Sequence, residues 1–327
     1  MNYTKTEGCY FIWNLCTHKL SQTGGCDIGS RPIDLHLKSF EKLGVNVKEE
    51  FGELICTADE IVGNDIHLDF PSVGATENIM LASVLAKGVT KINNAAMEPE
   101  IIDLQNALNS MGAKITGAGT NNIIIKGVEK LKDLSYNLIP DRIEAGTLLC
   151  AAAITGGNIK LQKVIPEHIE TLINKLEEMG CQITKSKNEI VLKSPKKLRA
   201  VDIKTLPYPG FPTDLQSILG VTLTIAKGTS IIIENIFENR YKYLNELIKM
   251  GAKTTVEGRT AVIKGVKRLN KATVRATDLR GGAALILAGL NAKGRTTVEN
   301  IEYVLRGYEN LDKKLTSLGA NIRLEEI

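Results

Sequence analysis

Three arginines, Arg31, Arg280 and Arg306, stand where helices are predicted to begin. A cation at a helix start opposes the helix dipole, so arginine is an unusual residue there. A bound anion would remove that conflict, because it uses the guanidinium charge together with the free backbone N–H groups of the helix end. Solvated surface arginines are the alternative. Because such positions recur at equivalent places along the chain, the pattern favours a site for a polyanionic ligand.

Two other residues have side chains that can transfer a proton. Cys26 lies in a segment, residues 24–29, that holds three glycines and is therefore predicted to be a mobile, exposed loop. Arg31 nearby would lower the pKa of this thiol, whereas the adjacent Asp27 would raise it. Asp214 stands at another predicted helix start, where an N-cap carboxylate is the simpler interpretation. Taken singly, neither residue identifies a catalytic site.

An internal repeat supplies the elements that must hold these residues. A Leu-Gly or Met-Gly pair recurs with its glycine at positions 44, 112, 180, 251 and 319, a spacing of 68 to 71 residues. Apolar residues before the pair keep helical spacing, as in residues 167–180, and the glycine predicts a left-handed C-cap. Each repeat is predicted to contain a helix, a strand, a second helix and a strand pair. Such alternation predicts an α/β fold with helices packed against sheets.

The repeat also sets finer expectations. The last repeat is predicted to have its first helix at residues 282–290 and a strand at 296–298. After Gly319 a single strand remains, at residues 321–324, so this repeat lacks its closing partner. The segment Gly117-x-Gly119 lies between two predicted strands and not between a strand and a helix. It is therefore predicted to be a turn and not a dinucleotide-binding loop.

Composition excludes several classes of protein. The chain has 327 residues, which favours two domains, and its 41 basic and 37 acidic residues form no basic block that would indicate nucleic-acid binding. Its apolar runs are far shorter than a membrane span, and no secretory signal is recognised at the start. The six cysteines and four histidines show no zinc spacing, which predicts no metal site and a reducing, cytoplasmic location.

Six motifs occur in order along the chain. They are Gly24-Gly25-Cys26-Asp27-Ile28-Gly29-Ser30-Arg31-Pro32, Phe70-Pro71-Ser72-Val73-Gly74-Ala75-Thr76, Phe211-Pro212-Thr213-Asp214, Phe237-Glu238-Asn239-Arg240, Asp278-Leu279-Arg280 and Arg306-Gly307-Tyr308-Glu309. Together they resemble the motifs of UDP-N-acetylglucosamine enolpyruvyl transferases, also called 1-carboxyvinyltransferases. The resemblance implies two inside-out α/β-barrel domains of the enolpyruvyl transferase fold. We expect a first domain at residues 1–138, carrying the Cys26 loop, and a second at 139–327, carrying Asp214, Arg280 and Arg306.

The resemblance also implies a reaction. Enzymes of this family transfer the enolpyruvyl group of phosphoenolpyruvate to the 3′-hydroxyl of UDP-N-acetylglucosamine and release phosphate, without a cofactor. This is the first committed step of peptidoglycan synthesis, so cytoplasmic roles in cell-wall biogenesis, cell shape, the cell cycle and cell division are implied, together with sensitivity to fosfomycin. The implied partners are the two small-molecule substrates, with no nucleic acid and no membrane.

The resemblance assigns roles to individual residues. It makes Cys26 the general acid, which can also carry the enolpyruvyl unit, and Asp214 the carboxylate that binds and deprotonates the sugar hydroxyl. Arg31, Arg280 and Arg306 would bind phosphoenolpyruvate, with Arg280 and Arg306 counted as catalytic. The sugar nucleotide would contact Arg31, Pro32, Ile33, Asp34, Leu35, Ser72, Val73, Gly74, Asp214, Ile236, Phe237 and Arg240.

The chain also departs from the family pattern. Family members carry a further N-terminal stretch with a Lys-Asn pair that contacts both substrates, and no part of this sequence matches it. A truncated, inactive relative that at most binds UDP-N-acetylglucosamine is therefore the alternative. Uncovered helix faces would then favour an oligomer or a complementing N-terminal fragment. The related 5-enolpyruvylshikimate-3-phosphate synthases share the fold but lack the glycine-loop cysteine, which disfavours that assignment.

Overall fold

The computed structural model describes residues 18–21, 33–51 and 53–325, with side chains from Ile33 onward. Cys26, Arg31 and Pro32 lie outside the described residues, so their roles stay predictions. The described chain forms two compact units: unit 1, residues 18–21 and 33–139, and unit 2, residues 140–325. The functional domain limits, 1–138 and 139–327, likewise stay a prediction.

Unit 1 alternates helices with short strands. Its helices are α1 (Asp34–Lys42), α2 (Val73–Ser83) and α3 (Pro99–Ser110). Its strands are β1 (His18–Ser21), β2 (Asn46–Glu50), β3 (Glu53–Thr57), β4 (Asp65–His67), β5 (Val89–Asn93), β6 (Lys114–Thr116) and β7 (Asn122–Lys126). They form one sheet of order β1-β3-β2 and one of order β4-β5-β7-β6. The predicted turn at Gly117-x-Gly119 is confirmed, because it joins β6 to β7.

Unit 2 continues the same alternation. Its helices are α4 (Arg142–Thr155), α5 (Glu170–Glu178), α6 (Gln216–Leu223), α7 (Lys242–Lys249), α8 (Leu279–Asn291), α9 (Glu302–Leu305) and α10 (Leu311–Ser317). Its strands are β8 (Asn158–Gln162), β9 (Gln182–Ser186), β10 (Glu189–Lys193), β11 (Ile203–Lys204), β12 (Thr229–Ile233), β13 (Lys253–Glu257), β14 (Thr260–Lys264), β15 (Thr273–Arg275) and β16 (Thr297–Glu299). They form sheets of order β8-β10-β9, β11-β12-β14-β13 and β15-β16.

The repeat predicted from the sequence is confirmed by strand pairing. In both four-stranded sheets the strand after the first helix pairs antiparallel with the last strand of its repeat, β5 with β7 and β12 with β14. A preceding strand, β4 or β11, adds in parallel on the other side. Helix, strand, helix and strand pair therefore recur with one topology.

In unit 2 the helices lie inside and the strands outside, the reverse of a fold built around a central sheet. In unit 2, helices α4, α6 and α8 pack against one another, and every residue of α6 is buried. The strands instead alternate, as in β12, where Ser230 and Ile232 are buried and their neighbours Thr229 and Ile231 are exposed. The α/β class and the inside-out arrangement are confirmed. The sheets of the described residues remain separate, and none of the described helices is long and apolar enough to cross a bilayer.

The repeated glycines end the second helix of each repeat, as predicted. All five adopt the left-handed conformation, with φ between 87° at Gly251 and 102° at Gly180. In this conformation the backbone N–H of the next residue reaches back to the helix, as Cys181 does to Leu176 at 2.9 Å. A side chain would strain this φ, which explains why glycine marks the stop.

Two predicted elements differ in the structure. Residues 321–324 are not a strand, because a strand needs a hydrogen-bonded neighbour and no other described segment pairs with them. The helix predicted over residues 167–180 begins as the 3-10 turn Pro166–Ile169 and becomes α5 only at Glu170. Such tighter turns are common at helix ends.

Candidate functional site

Asp214 lies in the 3-10 turn Thr213–Leu215, directly before α6. Its Oδ1 accepts a hydrogen bond from Arg240 Nη2 at 2.7 Å. Its Oδ2 accepts from Arg280 Nη2 at 3.1 Å and from Arg280 Nε at 3.3 Å. The helix start itself has no side-chain cap, so the interpretation of Asp214 as an N-cap is wrong. The two guanidinium groups hold the carboxylate instead.

The pair of arginines is more deeply buried than the carboxylate. The side chain of Arg240 is 3% exposed and that of Arg280 12%, whereas Asp214 keeps 39% of its side chain exposed. Desolvation alone would raise the pKa of the Asp214 carboxyl. The charges of Arg240 and Arg280 outweigh it and hold this pKa well below its usual range. Asp214 is therefore ionised and open to a ligand on one side.

Arg280 stands at the start of α8, as predicted. The Asp278 carboxylate caps this helix by accepting from the backbone N–H of Arg280 at 3.1 Å and of Gly281 at 2.8 Å. The guanidinium of Arg280 lies over the ring of Tyr308, 5.2 Å from its centroid, and the Tyr308 hydroxyl contacts Thr147 Oγ1 at 2.9 Å. The carboxylates of Asp278 and Asp214 thus supply negative charge at this helix start, and the bound anion that the sequence predicts there stays a prediction.

Arg306 does not stand at a helix start, and that prediction is wrong. It follows the one-turn helix α9 as its C-cap, and the next helix, α10, begins only at Leu311 because Asn310 takes the left-handed conformation with φ 50°. A cation at a helix C-terminus agrees with the helix dipole. The exposed Arg306 lies over the ring of Tyr303 and two residues before Tyr308, the residue beneath Arg280.

The loop that follows β12 carries the other residues predicted in unit 2. Ile236 and Phe237 are half-buried, and Arg240 lies over the Phe237 ring at 5.3 Å. The backbone N–H groups of Ile236 and Phe237 donate to Oε1 of the fully buried Glu234, at 2.8 Å and 3.2 Å. The structure therefore brings Ile236, Phe237 and Arg240 together beside Asp214.

The predicted residues of unit 1 gather at two helix starts. Ile33 precedes α1, which opens with Asp34 and Leu35; Ser72 caps α2, which opens with Val73 and Gly74, and the Ser72 hydroxyl accepts from Ala75 N at 3.3 Å. His36 joins the two helices, because its Nδ1 contacts Asn78 Nδ2 at 2.7 Å. A Cβ at Gly74 would lie 3.3 Å from the His36 ring, so glycine permits this close approach.

Sequence reasoning did not single out three groups that hold these residues: Glu234, Thr213 and the His36–Asn78 contact. Glu234 did carry a signal, since it is a carboxylate that ends the apolar run Ile231–Ile233 of β12. A charge in that position needs buried donors. The contact of His36 with Asn78 joins residues 42 apart, which no local pattern reveals.

The arrangement in unit 2 suits an anion or a hydroxyl group. Asp214 presents an ionised acceptor that is 39% exposed, and the guanidinium groups of Arg240 and Arg280 lie directly beside it. Planar guanidinium groups match the oxygen geometry of phosphates and carboxylates.

Comparison with protein families gives a match over most of the chain. Residues 13–315 match the model of the EPSP synthase (3-phosphoshikimate 1-carboxyvinyltransferase) family. The UDP-N-acetylglucosamine 1-carboxyvinyltransferase 2 of Caldanaerobacter subterraneus subsp. tengcongensis is 59% identical over 93% of this chain and 73% of its own length. The UDP-N-acetylglucosamine 1-carboxyvinyltransferase of Halothermothrix orenii is 54% identical over 98% of this chain and 78% of its own.

Solved structures share the fold. The enolpyruvyl transferase NikO from Streptomyces tendae superposes with a TM-score of 0.83 at 27% identity, covering 94% of this chain and 74% of that protein. An EPSP synthase from Acinetobacter baumannii gives a TM-score of 0.70 at 19% identity, covering 95% and 76%. The second likeness concerns the fold alone.

Proposed function

The chain belongs to the UDP-N-acetylglucosamine 1-carboxyvinyltransferase family, and on that premise we propose that it transfers the enolpyruvyl group of phosphoenolpyruvate to the 3′-hydroxyl of UDP-N-acetylglucosamine. Phosphate is the second product. This reaction would place the protein in the cytoplasm at the start of peptidoglycan synthesis, with the consequences for cell shape and division that follow. The inactive-relative alternative is disfavoured by the named relatives, which match more than 90% of the chain, and by the retained contact of Asp214 with Arg240 and Arg280.

The observation that carries the proposal is the contact of Asp214 with Arg280 and Arg240. The sugar 3′-hydroxyl would donate to the open side of the Asp214 carboxylate. The phosphate and carboxylate of phosphoenolpyruvate would bind guanidinium groups, and Arg280, whose side chain is 12% exposed beside Asp214, is one of them. We assign Arg306 to the same anion on the resemblance, since its helix-end position does not itself point to a ligand.

The low pKa of Asp214 bears on how it would act as a base. While both arginines hold it, the carboxylate is a good hydrogen-bond acceptor but a weak proton acceptor. The bonds from Arg280, 3.1 and 3.3 Å, are longer than the 2.7 Å bond from Arg240. Arrival of the anionic substrate would offer Arg280 another partner, and Asp214 would then become more basic when the sugar hydroxyl must lose its proton.

The remaining groups are assigned on the resemblance. We assign the general acid that protonates the methylene carbon to Cys26, and contacts with the nucleotide to Arg31, Pro32 and the residues that open α1 and α2. Fosfomycin should therefore add to the Cys26 thiol as a single mass increment, and faster when UDP-N-acetylglucosamine is present. Labelling spread evenly over all six cysteines would contradict this assignment.

The decisive assay mixes the protein with UDP-N-acetylglucosamine and phosphoenolpyruvate and follows phosphate release. We expect release in the wild type and none in Cys26→Ala or Asp214→Ala, with correct folding checked by circular dichroism. Glu238→Ala is a matched control, because this exposed carboxylate contacts Arg259 at 3.5 Å and not the Asp214 site. Absence of release from the wild type would leave the inactive, sugar-nucleotide-binding alternative.

A complementing segment is a further part of the proposal. In the described residues β8 and β16 lie at sheet edges, whereas their repeat equivalents β5 and β12 are paired on both sides. A groove of about 1120 Å³ meets both edges and is lined by Leu148 of α4, Ile286 of α8, and Leu311 and Leu315 of α10. In the preceding repeat, residues 260–275 occupy the place that corresponds to this groove: β14 pairs antiparallel with β12, and β15 pairs parallel with β16. A segment of two strands with the same pattern would fill the groove. Its first strand would pair antiparallel with β16, and its second would pair parallel with β8.

A synthetic peptide of residues 260–275 is the probe for this groove. We expect it to raise the melting temperature of the protein in a concentration-dependent way. A control peptide with lysine at the positions of Ala261, Ile263 and Val274, which are buried in the structure, should have no effect. No rise with either peptide, together with a dimer in analytical ultracentrifugation, would identify a second copy as the occupant.

A further inference from the structure

Glu234 is fully buried at the end of β12, and its carboxylate accepts four hydrogen bonds. Oε1 accepts from Thr205 Oγ1 at 2.8 Å and from the two backbone N–H groups of Ile236 and Phe237. Oε2 accepts from Thr213 Oγ1 at 2.9 Å. These donors lie on three different segments, after β11, before α6 and after β12. A single carboxylate therefore connects all three segments.

The Thr213 hydroxyl extends this connection to Asp214. It donates its only proton to Glu234, and its oxygen accepts from Arg240 Nη1 at 3.2 Å. Because the hydroxyl hydrogen points to Glu234, the lone pairs of the Thr213 oxygen are left to accept from Arg240. Arg240 then donates from Nη2 to Asp214 Oδ1 at 2.7 Å. The chain of contacts thus runs from Glu234 through Thr213 and Arg240 to Asp214.

We propose that Glu234 is a positioning residue for UDP-N-acetylglucosamine: its Oε2 fixes Asp214 through Thr213 and Arg240, and its Oε1 fixes the backbone of Ile236 and Phe237. The inference rests on the proposed function, because it takes Asp214, Ile236 and Phe237 as the groups that meet the sugar nucleotide. Glu234 itself is buried and does not touch substrate. It acts by holding Asp214 and the backbone of Ile236 and Phe237 in a fixed arrangement around the sugar nucleotide.

A neutral amide cannot take over both tasks. In Glu234→Gln the amide oxygen can still accept from the two backbone N–H groups. Its NH2 group, however, donates to the Thr213 oxygen where Oε2 of Glu234 accepted. The Thr213 O–H must then turn away, and the NH2 group competes with Arg240 Nη1 for the lone pairs of the Thr213 oxygen. Thr213→Val removes the same link from the other end while preserving side-chain shape. Thr213→Ser restores the hydroxyl.

The first test separates KM from kcat in the transfer reaction. We expect Glu234→Gln and Thr213→Val each to raise the KM for UDP-N-acetylglucosamine by about tenfold, with little change in the KM for phosphoenolpyruvate. Thr213→Ser should remain close to the wild type. Thr222→Val is the matched control: it deletes another buried hydroxyl of unit 2, which donates to Ile218 O at 3.1 Å. An equal loss of kcat in Glu234→Gln, Thr213→Val and Thr222→Val, with no change in KM, would overturn the positioning role of Glu234.

The second test needs no enzymatic activity, so it separates this inference from the proposed function. NMR of arginine side chains in the unliganded protein reports whether the Arg240 guanidinium is held rigidly. We expect distinct, slowly exchanging Arg240 Nη signals in the wild type, Thr213→Ser and Thr222→Val, and averaged signals in Thr213→Val and Glu234→Gln. Identical Arg240 spectra in all five proteins would refute the inference even if the enzyme is active.

Discussion

The predicted binding residues of the two units are held by different kinds of contact. In unit 1 these contacts are neutral hydrogen bonds: the bond from Asn78 to His36 joins α2 to α1, and the bond from the backbone N–H of Ala75 to Ser72 caps α2. In unit 2 the site is built of buried charges, with Asp214 between two guanidinium groups. A neutral hydrogen bond contributes about 1 kcal/mol, whereas breaking a buried ion pair costs about 3–5 kcal/mol. Unit 2 should therefore tolerate single substitutions at its site less well than unit 1.

The largest effect is expected from Asp214→Asn, which leaves two buried guanidinium groups without a counter-charge. Because Asp214 is itself 39% exposed, we place the loss in the free energy of unfolding at the lower end, about 3 kcal/mol. Asp34→Asn in unit 1 is the matched control. Asp34 also opens a helix, but its ion pair with Lys38, at 3.5 Å, is exposed on both sides. Its loss should be below about 0.5 kcal/mol in urea unfolding.

Equal losses in Asp214→Asn and Asp34→Asn would contradict the distinction between charged and neutral sites. The activity assay sharpens the same comparison. Asp214→Asn should abolish phosphate release, since an amide is no base, whereas Asp34→Asn should at most weaken binding of the sugar nucleotide.

The next largest effect is the dependence of stability on pH, which should have opposite signs for Glu77 in unit 1 and Asp214 in unit 2. Burial, and then the charges of Glu100 and Glu98, raise the pKa of Glu77 in unit 1 from 4.5 to about 7. The folded protein therefore holds a proton that the unfolded chain releases, and stability falls as the pH rises from about 4.5 to about 7. Glu77 is half-buried, so we expect a loss on the order of 2 kcal/mol. Asp214 has the opposite sign: its contribution is complete above its unfolded pKa and is lost only as the pH falls below that value.

Urea unfolding at a series of pH values measures this difference. Glu77→Gln should remove the fall in stability between pH 4.5 and pH 7 and be more stable than the wild type at pH 7.5. An unchanged pH profile in Glu77→Gln would show that another group titrates. Hydrogen exchange at amides of α2 and of α6 would assign the change to unit 1.

The sequence predicted most of what the repeat controls. The glycine stops, the helix start at Arg280 and the turn at Gly117 follow from local rules that recur along the chain. The place of Arg306 was not predictable, because a left-handed residue, Asn310, splits the helix that the repeat implies. Glu234 carried a local signal, but its hydrogen-bond partners were not predictable, nor was the contact of Asn78, since both depend on groups that packing brings together from distant segments.

The repeat-equivalent glycines offer a third comparison between the units. Gly112 in unit 1 and Gly251 in unit 2 both end a helix with positive φ, so alanine at either should cost about 1–2 kcal/mol. A Cβ at Gly112 meets no atom within 4 Å, whereas at Gly251 it would lie 2.7 Å from the Asn270 amide nitrogen. Gly251→Ala should therefore have the lower melting temperature. The double variant Gly251→Ala, Asn270→Ala should remove the difference, and a difference that persists would contradict the clash with Asn270. Equal melting temperatures of Gly112→Ala and Gly251→Ala would mean that backbone strain alone sets the cost.

The smallest effect is expected at the neutral contact of unit 1. Asn78→Leu keeps the buried volume but removes the hydrogen bond to His36, which should cost about 1 kcal/mol. Burial lowers the pKa of His36 despite the opposing charge of Asp34, so the ring is neutral in the folded protein at pH 7 and the contact is intact there. Because α1 and α2 lose their link, UDP-N-acetylglucosamine should bind several-fold more weakly by calorimetry, with binding of phosphoenolpyruvate unchanged. If Asn78→Leu weakened the binding of both substrates equally, the contact would be stabilising unit 1 as a whole and not its nucleotide side.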